Sequence, residues 1–175
     1  MASKTSLLGA AGEHYVMCQL LRLGFIPGLP PVGVPTVDIV ATDESGERSC
    51  AIQVKARRAL GRDGGWHMQK KHETATGARL FYCFVDFGKS VADPPPTFVV
   101  PSAVVATVIS EAHEKWRTTP GKRGQQRKDS DFRRFLPDYS RVLGTKSAYA
   151  AGWLEPYRDA WHLLQLGSAV VPLPR

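Results

Sequence analysis

The segment Arg79–Phe87 (RLFYCFVDF) limits the fold more than any other stretch of the chain. It is rich in aromatic and apolar residues at strand length, and it reads as a deeply buried β-strand. Helices to cover it are present on both sides in sequence. Residues 6–23 read as a helix: Ser6 as cap, GEHYVMCQLLRL at helical spacing and Gly24 as stop. The prolines and glycines of FIPGLPPVGVP (25–35) mark an irregular or edge segment. Thr36–Thr42 reads as a strand, Asp43–Gly46 (DESG) as a hairpin turn and Arg48–Arg57 as the returning strand. Residues 59–65 read as a loop, and Trp66–Gly77 suits a short helix or a polar loop equally. ADPPP (92–96) reads as a spacer and Thr97–Pro101 as a short strand. Ser102 then caps a helix running to about Trp116. A mobile loop is expected over 117–134. A short terminal helix is expected at about 153–166, centred on Tyr157–Leu166, with VVPLPR as a final strand or tail. This order predicts one α/β (α+β) domain over 1–175, a central mixed β-sheet flanked by helices.

The chain has 175 residues, 43% of them apolar, which is enough to build a core and excludes disorder as the overall state. Cys18, Cys50 and Cys83 form no CxxC pair and no zinc spacing. They read as small buried apolar residues in a reducing, cytoplasmic setting. No 18-residue apolar run exists, so no membrane span is expected. The first residues make a poor signal peptide, with one lysine and an apolar stretch broken at Glu13 and His14. There is no asparagine, hence no N-glycosylation sequon. The net charge of +7 favours an anionic partner.

Four polar residues interrupt apolar patterns. On a helical wheel Glu13 lies in the centre of the face formed by Val16, Met17, Leu20, Leu21 and Leu23, opposite Gln19 and Arg22. An ionised carboxylate there needs a cation, a metal or a donor; the plainer alternative is a frayed first turn that lets it meet water. In the returning strand Cys50, Ile52 and Val54 share one face, and Ala51, Gln53 and Lys55 the other. Asp38 breaks the run Val37-Asp38-Ile39-Val40, and antiparallel pairing can bring it near Gln53. The alternative is a solvated face on which Asp38 pairs with a lysine.

Taken in order, Glu13, then Thr36-Val37-Asp38, then Gln53-Val54-Lys55 resemble the signature of the PD-(D/E)xK, or restriction-endonuclease-like, nuclease superfamily, over roughly residues 6–101. Val37 stands where that signature has proline. Gln53 stands in place of its second acid, as in the similar Mrr-like branch. The resemblance implies a metal-dependent endonuclease hydrolysing DNA phosphodiester bonds. Asp38, Gln53 and Glu13 would hold Mg²⁺ or Mn²⁺, and Lys55 would orient a water or stabilise developing charge. Gln53 removes one unit of charge relative to an acidic site, so weaker metal binding is expected. Enzymes that cut both strands with one site often pair, so the resemblance also implies a homodimer. Two alternatives stay open: an inactive DNA-binding or assembly protein on the same fold, and a nuclease acting on RNA.

Between 115 and 134 eight basic residues stand against Asp129 and Asp131, a balance of +6. Lys122, Arg123, Arg127 and Lys128 in this run, and Arg57, Arg58, Arg62, Lys70 and Lys71 after the returning strand, are the candidate phosphate contacts. A solvated loop is the alternative. Trp66 and His67 suit stacking on a base or sugar, or cover for a core edge. His72-Glu73 lacks the second histidine of a zinc-protease helix. Trp153, Tyr157 and Trp161, spaced by four, read as a helix face packed on the core.

Overall fold

The computed structural model describes residues 4–31, 33–58, 64–88 and 90–166. The expected terminal strand or tail, most of the 59–65 loop and Arg62 lie outside the described residues. Helix α1 (Lys4–Arg22) leads into β1 (Ile26–Gly28), β2 (Ile39–Thr42) and β3 (Ser49–Arg57). Strands β4 (Trp66–Gln69), β5 (Leu80–Asp86) and β6 (Thr97–Pro101) follow, then α2 (Ser102–Thr118), β7 (Phe132–Phe135) and the short α3 (Ser140–Leu143). Five strands form one mixed sheet in the order β1-β2-β3-β5-β6; β4 and β7 form a separate two-stranded ribbon. Only the β3–β5 pair is parallel within that sheet. This is the mixed sheet flanked by helices that the sequence predicts.

The buried run Leu80–Asp86 is central, between β3 and β6. Its alternation divides the core. Phe81, Cys83 and Val85 point to one face with Ile39, Ala41, Ile52 and Val54, where Val16 and Leu20 of α1 cover them. Tyr82 and Phe84 point to the other with Phe98 and Val100, where α2 and the inner face of the ribbon cover them. On this second face Gln53 of β3 is still buried, whereas Val40 of β2, on the same side, is 44% exposed. Among the described residues no helix is long and apolar enough to cross a membrane.

Several local expectations change. Helix α1 begins at Lys4, so Ser6 lies inside it rather than capping it. It stops as expected: Gly24 adopts φ 81°, and the N–H of Phe25 reaches the Leu20 carbonyl at 2.9 Å. Leu21 is 61% exposed, so the buried face is narrower than the wheel implied and centres on Gly12, Val16 and Leu20. Strand β2 starts only at Ile39, because Thr36 sits at φ 70° and turns the chain just before it. Ser102 does not cap α2; its hydroxyl binds both the N–H and the carbonyl of Gly77. Cys18 is exposed, while Cys50 and Cys83 are buried. The terminal helix is absent: Glu155–Tyr157 and Trp161–Leu164 are separate 3-10 turns. Asp159 at φ 47° divides them, so Trp153 and Tyr157 pack on one core face and Trp161 on the other.

The expected mobile loop is also partly structured. Residues 132–135 pair with β4, and Arg133, 3% exposed, is bound to Glu73 and Asp129. Asp129 further binds Lys70 at 3.0 Å and His113 at 2.8 Å, which pins the segment to α2 and to the turn after β4.

Gly12 lets α1 lie directly on β3: a Cβ there would stand 2.7 Å from the Ala56 Cβ and 3.3 Å from Val54 Cγ1. On an isolated helix Gly12→Ala would stabilise by about 1 kcal/mol. Here the overlap is expected to reverse the sign and cost about 1–3 kcal/mol in urea unfolding. A stabilised variant would mean that the helix does not rest on Ala56.

Candidate active site

Asp38 stands immediately before β2, where the first ladder bond, from its own N–H to the Ile52 carbonyl (2.9 Å), sets its register against β3. The register Ile39↔Ile52 puts Asp38 opposite Gln53, and both point to the second face, where Gln53 is buried and Asp38 half-buried. One carboxylate oxygen, Oδ2, accepts the amide of Gln53 and the backbone N–H of Val54, the latter at 2.7 Å. The alternation of β3 places Lys55 two residues on from Gln53, on the same side. Thr36, two residues before Asp38, holds a left-handed conformation that costs a threonine of order 1 kcal/mol or more.

Glu13 arrives from the opposite layer, carried to the strand by the close approach at Gly12. It is half-buried. Burial, and then the Asp38 charge, raise its pKa above the usual carboxylate value, while His14 and Lys55 pull it back. Lys55 shows the complement: burial lowers its pKa, Asp38 and Glu13 oppose that, and Lys71 adds to it. Glu13, Asp38 and Lys55 therefore share one electrostatic environment, with Gln53 bonded into it. Asp38 and Gln53 are in direct contact, and Glu13 and Lys55 lie within electrostatic reach of Asp38.

The residues that fit a metal are few. Among the described residues no group of three or more His, Cys, Asp and Glu is placed to hold an ion. Two carboxylates, the Gln53 amide and the Val54 carbonyl are the available oxygen donors. That set suits a hard divalent cation completed by water and substrate oxygen, and not zinc. Gln53 faces Asp38 with its amide nitrogen, the end a bare carboxylate requires; a cation between them calls for the amide turned over.

Two residues of the site were not singled out from sequence. Tyr82, the register partner of Gln53 on β5, is fully buried, and its hydroxyl has no partner among the described residues. Burial and Asp38 push it up to about 12. His72 meets the Tyr82 ring edge-on at 5.9 Å. Its Nδ1 lies 2.9 Å from the Gln69 backbone nitrogen and 3.1 Å from the Gln69 carbonyl oxygen, and its Nε2 is unpartnered among the described residues. Only the pairing of β3 with β5 and the turn after β4 bring these two beside Gln53, and no local pattern announces them.

The predicted phosphate contacts divide. Arg57 is bound to Asp86 and stacks over Trp66 at 4.2 Å. Trp66 itself is buried in the core, so it covers the core and does not present itself to a base. Lys70 is bound to Asp129, and Arg127 lies over the Trp116 ring at 4.8 Å. Arg58, Lys71, Lys122, Arg123 and Lys128 are exposed.

No protein-family model matches the chain, and no curated protein matches it. The fold does match a solved structure. It is similar to a bacterial homing endonuclease, I-Ssp6803I, with a TM-score of 0.51 over 95% of each chain and 18% sequence identity. The two chains share a fold.

The buried imidazole gives a pH test. Burial, then Lys55, lowers the His72 pKa to about 4 from an ordinary 6.5. Between those values the unfolded chain binds a proton that the folded one refuses, so stability falls as pH falls through that window. The loss by pH 4.5 should be on the order of 2 kcal/mol relative to His72→Phe, measured by urea unfolding against pH 7. Parallel stabilities of the two proteins at both pH values would show that His72 titrates as an ordinary histidine.

Proposed function

We propose that the chain is a metal-dependent endonuclease of the PD-(D/E)xK type, in the Q-x-K form similar to the Mrr-like branch, hydrolysing DNA phosphodiester bonds. The observation that carries the reading is Asp38 seated on Gln53 and the Val54 N–H, with a desolvated Lys55 beside it. The fold shared with a homing endonuclease and the net charge of +7 support it.

In this reading Asp38, Glu13 and the Gln53 amide oxygen hold Mg²⁺ or Mn²⁺. When bound, the ion supplies neutralisation of phosphate charge and a lowered pKa for a bound water. The backbone N–H of Val54 fixes the direction of the Asp38 carboxylate, so the site keeps its geometry when Gln53 turns. Lys55 offers its ammonium to a phosphate oxygen or to the attacking water. Burial lowers its pKa below the ordinary lysine value, which eases release of a proton. The phosphate backbone meets Lys71 and Arg58 near the site, and Lys122, Arg123 and Lys128 further out. Homodimer formation belongs to the same reading.

Incubation with supercoiled plasmid and Mg²⁺ or Mn²⁺ tests it. Wild type is expected to nick; Asp38→Ala and Lys55→Ala are expected to lose about a hundredfold or more. Binding without nicking by all three proteins would favour an inactive DNA-binding protein. Gln53→Glu restores a carboxylate and is expected to tighten Mn²⁺ binding about tenfold in calorimetry. Unchanged affinity would remove Gln53 from the ligand set. Neutralising Arg123, Arg127 and Lys128 together is expected to weaken DNA binding and flatten its dependence on salt, and an unaltered slope would make that segment a solvated loop.

A further inference from the structure

The ribbon β4–β7 has two unlike faces. Trp66, Met68, Arg133 and Phe135 point inward and are buried. The alternate residues point outward: His67 opposite Arg134, and Gln69 opposite Phe132. His67 and Gln69 are exposed, and Phe132 is 50% exposed. The Phe132 ring meets His67 edge-on at 5.1 Å and has the Arg134 guanidinium over it at 5.9 Å, while Arg134 is held by the Gly65 carbonyl at 2.8 Å. A rigid, solvated platform of aromatic, amide and imidazole groups results, and it contributes nothing to the core beneath.

Its dimensions and charge select a partner. Each strand of four residues is about 13 Å long, and the major groove of B-DNA, about 12 Å wide, admits a two-stranded ribbon. Strand β4 runs directly into Lys70 and Lys71, and the segment entering β7 carries Arg127 and Lys128; Lys70 is paired with Asp129 and Arg127 lies over Trp116, so the exposed Lys71 and Lys128 are the cations offered at this end of the ribbon to the groove's phosphates. The turn that follows β4 places that end beside the candidate active site: its His72 meets the ring of Tyr82, the register partner of Gln53, at 5.9 Å. The side chains suit base edges. A glutamine amide pairs with the N6 and N7 of adenine, an imidazole N–H with a purine acceptor, and a phenyl ring with the thymine methyl. The major groove of A-form RNA is too deep and narrow for such a ribbon.

We propose that the outward face of this ribbon, through His67, Gln69 and Phe132, reads base edges in the major groove of duplex DNA beside the scissile phosphate. The inference rests on the nuclease reading and adds a sequence-selecting element outside the cleavage site.

Binding-site selection from random DNA duplexes, with Ca²⁺ replacing Mg²⁺, tests it. Wild type enriches a motif. Phe132→Ala loses about tenfold discrimination at one or two adjacent positions. Gln69→Glu, which exchanges the amide for a pure acceptor, moves the preference at one position from adenine towards cytosine. Both variants keep affinity for random-sequence DNA and its salt dependence within about twofold, a pattern that a merely destabilised ribbon does not produce. Motif-free binding by wild type, or an unaltered motif in both variants, overturns the inference and leaves the nuclease reading standing. Equal competition by duplex RNA overturns the groove assignment. Absence of any DNA binding by wild type overturns the nuclease reading and this inference together.

Discussion

One carboxylate oxygen joins the fold to the chemistry. Asp38 Oδ2 accepts the N–H of Val54, so the direction of the carboxylate is set by the backbone of β3 and not by a side chain free to move. That bond exists because β2 and β3 pair in a register that leaves the Val54 N–H pointing at the start of β2. A slip of one residue would send Asp38 and Gln53 to opposite faces and bury a charge against Val16 and Leu20. The apolar face of the same strands forbids the slip: Ile39, Ala41, Cys50 and Ile52 must meet α1. The hydrophobic pattern of one face thus fixes the polar geometry of the other.

The asymmetry of cover then decides where a substrate can lie. The first face is covered by α1 together with the C-terminal turn at Trp161–Leu164; on the second, β5 and β6 lie under α2 and the ribbon, Gln53 of β3 is buried, and the face opens towards Val40 of β2. Glu13 belongs to the covered side, and reaches the open side because Gly12 brings the helix backbone against Ala56 at the end of β3. The ribbon and the turn at Lys70–Glu73 form the flank of the open half. Arg133, buried with Glu73 and Asp129, holds that flank down, which explains why part of the basic segment is architecture.

The central sheet and the meeting of Asp38 with Gln53 were legible because each rests on short-range signals. Alternation in Cys50–Lys55, the DESG turn and the apolar run at 80–86 need no distant partner to be read. The ribbon was not legible: Trp66–Gln69 pairs with Phe132–Phe135 across more than sixty intervening residues, and each strand alone is a four-residue mixture of polar and aromatic side chains. The same limit hid His72 and Tyr82. The aromatic spacing of Trp153, Tyr157 and Trp161 misled for a different reason. A period of four fits a helix face, but Asp159 in a left-handed conformation breaks the segment, and its rings serve two separate cores. Local charge counting failed at Arg57 and Arg133 because a guanidinium stacked or paired inside the fold reads in sequence like one on the surface.

The strain at this site bears on the choice between an enzyme and an inert descendant of one. Burial raises the Glu13 pKa and lowers that of Lys55, so both groups are held in surroundings that disfavour their charged forms. Tyr82 and His72 add two buried polar atoms without partners among the described residues. Thr36 adds a left-handed backbone beside Asp38. Each feature destabilises the folded chain, and apolar or glycine substitutions at these positions would relieve it. Costs of the same kind occur elsewhere, in the left-handed backbone of Asp159 and Gln165 and the buried Nη2 of Arg79, so what sets this site apart is the pair of perturbed charges facing each other and not strain as such. A protein that only docks on DNA needs exposed cations such as Lys71, Lys122 and Lys128, and gains nothing from a desolvated lysine facing two carboxylates. Desolvated carboxylate and ammonium groups facing each other are the kind of perturbed pair that proton-transfer chemistry uses, and that is the physical ground for assigning them a role in the proposed function.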